Sequence, residues 1–510
     1  MTRSAGDSAL IRQASVLITT SLEDTLMTTS AQTAVTPAPA PGDLDRIARR
    51  RQRKSFFASI VGQLLEWYEW SAYAVFAPFI ALALFNPDDA VSGLLATFGV
   101  FAIGFLFRPL GGIVFGRIAD RRGRRFVLVT TMLMMATASV AIGLLPTFGS
   151  IGIAASLLLL LARIVQGFAH GGESATANSY IAEIAPANKR GLWGSAVFMT
   201  IFGGAFLAFV LGGVITGALT EVQVQDWGWR IPFLLGAVLA VVALWLRVGM
   251  VESQVFQEGD ADDTAAVPEA VDGPAASAGS TAGTPAADVV SPVGVRLPGR
   301  DGLGAEAYPP ETLKPLSPTL SIVLIFFLVS GVAASNYTWT SYVSTYAQTQ
   351  EGMNPNGAYW ALVAALVVGL ASLPFWGWVS DKVGRKPVLY VFTLGIIATV
   401  FPLMGFIDDR PWTLFVSTSI ALFLLSAGAG LLAAVMAETF PTSSRTAKIG
   451  FAYSLATAVF GGTTPYVNEL AVSQGVPWAS NLFIAFAAAL ALWAVWRLPE
   501  RKGIDLTIVR

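Results

Sequence analysis

The chain contains no cysteine and a single histidine, His170. The first absence excludes a disulfide framework, thiolate metal ligands and thiol catalysis; the second leaves no histidine set for a metal. Charge is also scarce, since Asp, Glu, Lys and Arg make up 13% of the 510 residues, about half the share of a soluble domain. The net charge is -1, and the basic residues sit in short clusters rather than on one face, so no nucleic-acid partner is expected. No nucleophile–base pair, metal-ligand set or phosphate loop is visible, so neither an enzyme nor a cofactor is expected. What is present is apolar: 54% of the residues, with a mean hydropathy of +0.62. Such a chain belongs in a lipid bilayer.

Crossing ~30 Å of hydrocarbon takes about 20 apolar residues. Runs of that length lie at 56–85, 91–117, 126–146, 151–181, 191–219, 229–249, 319–347, 357–379, 387–407, 412–438, 447–470 and 477–497. Their even-numbered connections carry the basic residues: Arg121 to Arg125, Lys189 and Arg190, Lys382 to Lys386, and Arg445 to Lys448. The odd connections are almost free of them, Arg410 excepted. Because basic loops stay cytoplasmic, both termini are expected in the cytoplasm of a multi-pass protein of the cell membrane. Residues 1–54 are Ser/Thr/Ala/Pro-rich and end in a basic run from Arg46 to Lys54, which predicts a disordered cytoplasmic tail. Met27 opens an equally good start, so residues 1–26 are expected to be a translation-start artefact. A Pro/Ala/Gly/acid-rich stretch at 251–318 predicts a disordered cytoplasmic linker between six-helix halves at 55–250 and 319–498, with a further tail at 499–510.

Halves of common origin should repeat motifs in order. Tyr68-Glu69-Trp70 with Tyr73 matches Tyr337-Thr338-Trp339 with Tyr342, at an offset of 269 residues. Gly116, Asp120, Gly123, Arg124 and Arg125 match Gly377, Asp381, Gly384, Arg385 and Lys386, at 261. Glu183, Pro186 and Arg190 match Glu438, Pro441 and Arg445, at 255. Three ordered matches at slowly drifting offsets indicate an internal duplication. The repeated charges fall at cytoplasmic helix ends, where they can form a gate that breaks as the halves rock: Asp120, Arg124, Asp381, Arg385, Glu183, Arg190, Glu438 and Arg445.

The Gly116–Arg125 loop and its second copy resemble the signature of the major facilitator superfamily, and Arg163-x-x-Gln166-Gly167 resembles that family's helix-four motif. Further strings are similar to the metabolite:proton symporters: Glu66-Trp67-Tyr68-Glu69, Arg108-Pro109-Leu110-Gly111-Gly112, Gly171-Gly172-Glu173, and Trp229-Arg230-Ile231-Pro232-Phe233. That group includes permeases for α-ketoglutarate, shikimate, citrate and proline or betaine. The resemblance implies an all-α major facilitator fold, twelve transmembrane helices in two pseudo-symmetric six-helix bundles. Two departures are a Glu at position 69, where Asp is commoner, and the long linker.

An ionisable group deep in lipid is costly unless it is paired or wet, and so marks function. Glu66, Glu69 and Tyr73 share a face of helix one; Arg163, Gln166, His170 and Glu173 form one stripe of helix four. Counting from helix ends places Glu69 and Arg163 near the midplane, with Arg108, Glu173 and Glu66 lower. The expectation is therefore a Glu69–Arg163 pair and a lower cluster joining Arg108 to Glu173 or Glu66. Their second-half equivalents are near the neutral Ser335, Thr338, Gly369, Thr418 and Gly428, so proton coupling is assigned to the first half through Glu69, Glu66 and Glu173. Arg163, Gln166, Arg108 and Tyr73 are assigned to substrate, with Tyr337, Trp339, Tyr342, Tyr346 and Asn336 facing the same cavity. His170 is expected to pack, and Glu469 and Asn468 to lie wet at the outer end. The combined expectation is a monomeric, proton-coupled symporter of a small carboxylate or zwitterion, its partners being substrate, protons and lipid. A proton-driven exporter, a facilitator or a transporter-like sensor are the alternatives.

Overall fold

The computed structural model describes residues 61–86, 88–122, 124–171, 181, 185–248, 316–441, 444–504 and 506, without side chains for Asp120, Arg124, Arg125 and several positions late in helix six. The expected tail at 1–54, nearly all of the linker at 251–318, Glu173 and Glu183 lie outside the described residues.

The described residues are helical with short connections. Taken through brief interruptions, they make twelve rods. These are α1 (61–84, interrupted at Phe76), α2 (Ala90–Leu106 and Arg108–Arg122), α3 (Arg124–Leu144), α4 (Ile153–Gly171), α5 (Arg190–Ala218) and α6 (Ile231–Val248). After the linker come α7 (Pro318–Tyr337 continuing to Val343–Thr349), α8 (Pro355–Val383), α9 (Arg385–Gly405) and α10 (Pro411–Ala429 and Leu432–Thr439). The last two are α11 (Arg445–Ala456 continuing to Thr464–Ser473) and α12 (Trp478–Arg497). Nine of these are long and apolar enough to cross a membrane. Local chemistry starts them where expected: Ser317 accepts from Leu320 N ahead of Pro318, Asn354 from Asn356 N ahead of Pro355, and Asp89 from Ser92 N.

Packing repeats with the sequence. α3 lies against α6 and α4, and α2 against α4; six helices later α9 lies against α12 and α10, and α8 against α10. The halves meet along α5 with α8 and along α2 with α11, two contacts that the duplication interchanges. Both α7 and α11 widen into one π-helical stretch, at Thr338–Tyr342 and Thr457–Gly462. Such bulges favour functional sites because they re-aim side chains.

Glycines decide how closely α2 meets α4. A Cβ on Gly167 would stand 1.9 Å from the Gly104 carbonyl oxygen, and one on Gly171 would stand 2.0 Å from that of Arg108. The two helices therefore touch backbone to backbone at the motif glycines, which carries the arginines of both helices into one place. Gly171→Ala is expected to push α2 and α4 apart, lowering the thermal midpoint by several degrees and weakening substrate binding together with it, as read by a thermal-shift assay and binding titration.

Candidate functional site

Arg108 from α2 and Arg163 from α4 are buried and lie over the same indole ring. Each guanidinium carbon is 4.0 Å from the Trp70 centroid; Arg108 also lies 3.6 Å from Phe105, and Arg163 lies 4.2 Å from Tyr73. Aromatic faces supply part of the stabilisation that lost water no longer gives these cations. Tyr73 is held by a hydrogen bond from its hydroxyl to Thr97 O at 2.9 Å, and Arg163 Nη1 donates to Gln166 Oε1 at 2.9 Å. Gln166 Nε2 in turn donates to Ser139 Oγ on α3 at 2.8 Å. Nε and Nη2 of both arginines make no hydrogen bond. Buried donors left open in this way are ready for an anion.

The acids lie close by, but not in the expected pairs. Glu69 makes no contact ion pair with Arg163: its carboxylate sits against Gly236 of α6, with Oε1 at 3.3 Å from that glycine's would-be Cβ. The Gln166–Ser139 chain separates the two charges, because Gln166 occupies the face of the guanidinium turned toward helix three. The lower cluster also differs. Glu66 Oε2 lies 3.5 Å from His170 Nδ1, and Glu66 bears electrostatically on Arg108; Glu173 lies outside the described residues. Glu66 and Glu69 line a cavity inside the first half with Met132, Met135 and Ala240. His170 is buried and packs edge-on against Trp67 at 5.5 Å, but it touches an acid as well.

Between the halves lies a narrow cleft lined by Trp67, Asn336, Tyr337, Tyr453 and Thr457 among apolar neighbours. Arg108 interacts electrostatically with Tyr337 and Tyr453, but Arg108, Arg163, Gln166 and Tyr73 do not themselves line the cleft. Of the second-half residues assigned to this space, Tyr337 and Asn336 line it and the others do not. Trp339 is fully buried elsewhere in the core, Tyr342 donates to Glu469 Oε2 at 3.0 Å, and Tyr346 packs on Tyr342. Trp339 and Tyr342 belong to the π-helical stretch Thr338–Tyr342, and Tyr346 to the helix that follows it. Glu469 and Asn468 are not wet: they are 3% and 0% exposed, and Asn468 donates to Thr338 Oγ1 at 3.1 Å. Sequence reasoning missed Tyr453, Thr457 and Ser139, which stand out in no motif, and quoted Trp67 within a motif without assigning it to the site.

The repeated charges at the basic end form one network across the seam. Asp381 of α8 accepts from Gly191 N at 2.8 Å and Leu192 N at 2.9 Å, capping the N-terminus of α5 where the helix dipole is positive. Glu438 lies between Arg190 at 3.1 Å and Arg385 at 3.0 Å, and Arg385 reaches Asp381 at 2.7 Å. Arg445 donates to Phe440 O and Leu506 O and lies near enough to act on Arg190. The segment after α12, expected as a plain tail, is partly built in: Ile504 O accepts from Arg190, and Arg501 Nη1 donates to Glu438 O. Asp120 and Arg124 have no described side chains, and Glu183 is outside the described residues, so of the first copy of these charges only Arg190 is seen in contact. At the opposite end, Tyr359 OH donates to Val75 O at 2.8 Å and Asn356 Nδ2 to Gly213 O at 2.7 Å. Bonds thus cross the seam at both ends.

Two repeated sets of helices with repeated charges at one end of their seam match the Major Facilitator Superfamily over residues 59–430 and 324–506. The chain belongs to that superfamily. It is a transporter, not an enzyme, and a multi-pass membrane protein. Among relatives of this family member, the alpha-ketoglutarate permease of Escherichia coli K12 is 32% identical over 458 residues, covering 89% of this chain and 95% of the permease. The ectoine/proline transporter ProP of Corynebacterium glutamicum is 32% identical over 471 residues, covering 90% and 86%. In fold, the transporter is similar to the crystal structure of a D-xylose-proton symporter, with a TM-score of 0.65, 17% identity, and coverage of 89% of this chain and 99% of that one.

Proposed function

We propose that this transporter is a proton-coupled symporter that carries a small carboxylate or zwitterion into the cell across the plasma membrane. The observation that supports this most directly is the pair of buried arginines sharing Trp70, with four unbonded guanidinium nitrogens beside buried acids. Guanidinium forks suit a carboxylate. A buried acid nearby gives a proton somewhere to ride, and the named activities of the relatives, on alpha-ketoglutarate and on proline or ectoine, fall within the same chemistry.

Transport then proceeds by alternating access between bundles spanning 55–250 and 319–498, with both termini in the cytoplasm and one chain sufficient. Substrate docks on Arg163 and Arg108 against Tyr73, Tyr337 and Trp67, and a proton is carried on Glu69, with Glu66 and Glu173 as further sites. Closure of the outer end and rupture of the Asp381, Glu438, Arg190 and Arg385 contacts releases both inside. Asp120, Arg124, Glu183 and Arg445 belong to the same gate by the duplication.

Proteoliposomes test it. With an inward proton gradient, wild type is expected to accumulate radiolabelled α-ketoglutarate or proline at least several-fold over the external level, and to do so less as external pH rises. Glu69→Gln is expected to abolish accumulation while leaving equilibrium exchange of the same compound. Uptake in wild type that ignores the gradient would leave a facilitator; gradient-driven efflux would leave an exporter.

A further inference from the structure

A row of hydrogen bonds leads from Arg163 toward Glu69 through two uncharged residues. Arg163 Nη1 fixes the Gln166 amide oxygen at 2.9 Å, which turns the amide nitrogen toward α3, where it donates to Ser139 Oγ at 2.8 Å. With Ser139 accepting, its own hydrogen points onward, and the acid it bears on is Glu69. Every donor in the row is therefore aimed from the guanidinium to the carboxyl. The final link is open in this state, since neither Glu69 oxygen completes a hydrogen bond. Ser139 is fully buried and Gln166 is 1% exposed, so water does not short-circuit the row.

Beside its burial, few charged neighbours bear on Glu69. From α4 it faces Arg163; on α1 itself it has Tyr68, whose hydroxyl is tied to Pro232 O at 3.0 Å, and Glu66 one turn away. The described residues of α3 and α6 around it are Ser139, Met132, Met135, Gly236 and Ala240, none of them titratable.

We propose that Ser139 is a positioning residue that couples Glu69 to Arg163 through Gln166, so that an anion and a proton are taken up together. The inference rests on the proton-symport reading above. With Arg163 unoccupied, its charge acts along the row and steadies the Glu69 carboxylate. An anion seated on the open Nε and Nη2 edge cancels that charge, and the carboxylate takes a proton from water at the open end of the transporter. Release of the anion reverses the order. No bond other than the carboxyl O–H forms or breaks. By linkage, protonation strengthens anion binding by the same factor, about 5- to 150-fold for couplings of the usual size.

The test uses the full chain in proteoliposomes, with α-ketoglutarate and proline as the probes, and compares Ser139→Ala with Ser139→Thr. Two quantities are read: equilibrium exchange, which needs binding and gating but no net proton movement, and accumulation driven by an inward proton gradient. Ser139→Ala is expected to keep exchange within about threefold of wild type and to lose at least tenfold of the gradient-driven accumulation, while Ser139→Thr, which keeps the hydroxyl, retains both. Accumulation preserved in Ser139→Ala overturns the inference. So does a parallel loss of exchange and accumulation in both variants, which is what a packing role predicts. If wild type itself shows no gradient-driven accumulation, the symport reading fails and takes this inference with it; in the other two cases that reading stands.

Discussion

Arg163→Ala is expected to weaken binding of the transported anion or zwitterion by roughly a hundredfold or more and to reduce uptake to background. The estimate follows from what the side chain does. Its guanidinium is buried between Trp70 and Tyr73, one nitrogen is spent on Gln166, and Nε and Nη2 remain open. Truncating one partner of a buried, hydrogen-bonded charge pair costs about 2–5 kcal/mol, and about 2.8 kcal/mol is a hundredfold in affinity. Arg163→Lys separates charge from geometry. It keeps the cation but loses the planar fork and the stacking, and an intermediate loss, about tenfold, is expected. Binding measured by isothermal titration on purified protein decides the matter: near-wild-type affinity in Arg163→Ala would move the anion site elsewhere, Arg108 being the next guanidinium to test.

The second large effect belongs to the gate. Glu438 is 2% exposed and stands between Arg190 of the first half and Arg385 of the second. Glu438→Gln removes the carboxylate that Arg190 and Arg385 share, leaving Asp381 as the acid beside Arg385, and breaking a buried pair typically costs about 3–5 kcal/mol. The cost falls only on the state in which the basic end is closed, since opening that end lets water reach both arginines. A two-state equilibrium should therefore move toward the open form by about a hundredfold or more. Because the protein lacks cysteine, one introduced thiol reports this without background. Ser195→Cys places it one turn above Arg190 in a buried position. Maleimide labelling from the basic end should be slow in the otherwise unaltered protein and at least tenfold faster with Glu438→Gln. Equal rates in the two would remove Glu438 from the gate.

Ordering, composition and repetition carried a good deal of this. Twelve apolar runs, basic even connections and three motifs recurring in order describe the helices and their duplication before any coordinates, because membrane length and charge asymmetry act on each helix separately. The seam network was also legible in outline: Asp381, Arg385, Arg190 and Glu438 do come together. The carboxylate pairings were not. Helical spacing says which side chains share a face, yet the partner of Glu69 depends on how α1, α3, α4 and α6 turn toward one another. That rotation is fixed by backbone contacts such as Gly167 with Gly104, and by ordinary residues such as Ser139 and Gly236.

The sequence by itself determined that this chain spans a membrane, that it is built of two related halves, and that arginines and acids stand at mid-helix on helices one, two and four. Each of those is a local property, set by hydrophobic length, by charge in the connections and by position along a helix. Only the tertiary structure decided that Arg108 and Arg163 share Trp70, that Gln166 and Ser139 stand between Arg163 and Glu69, and that Trp339 and Tyr342, in the π turn of α7, do not line the cleft between the halves. Those depend on helix rotation and crossing distance, which arise from packing among segments far apart in the chain.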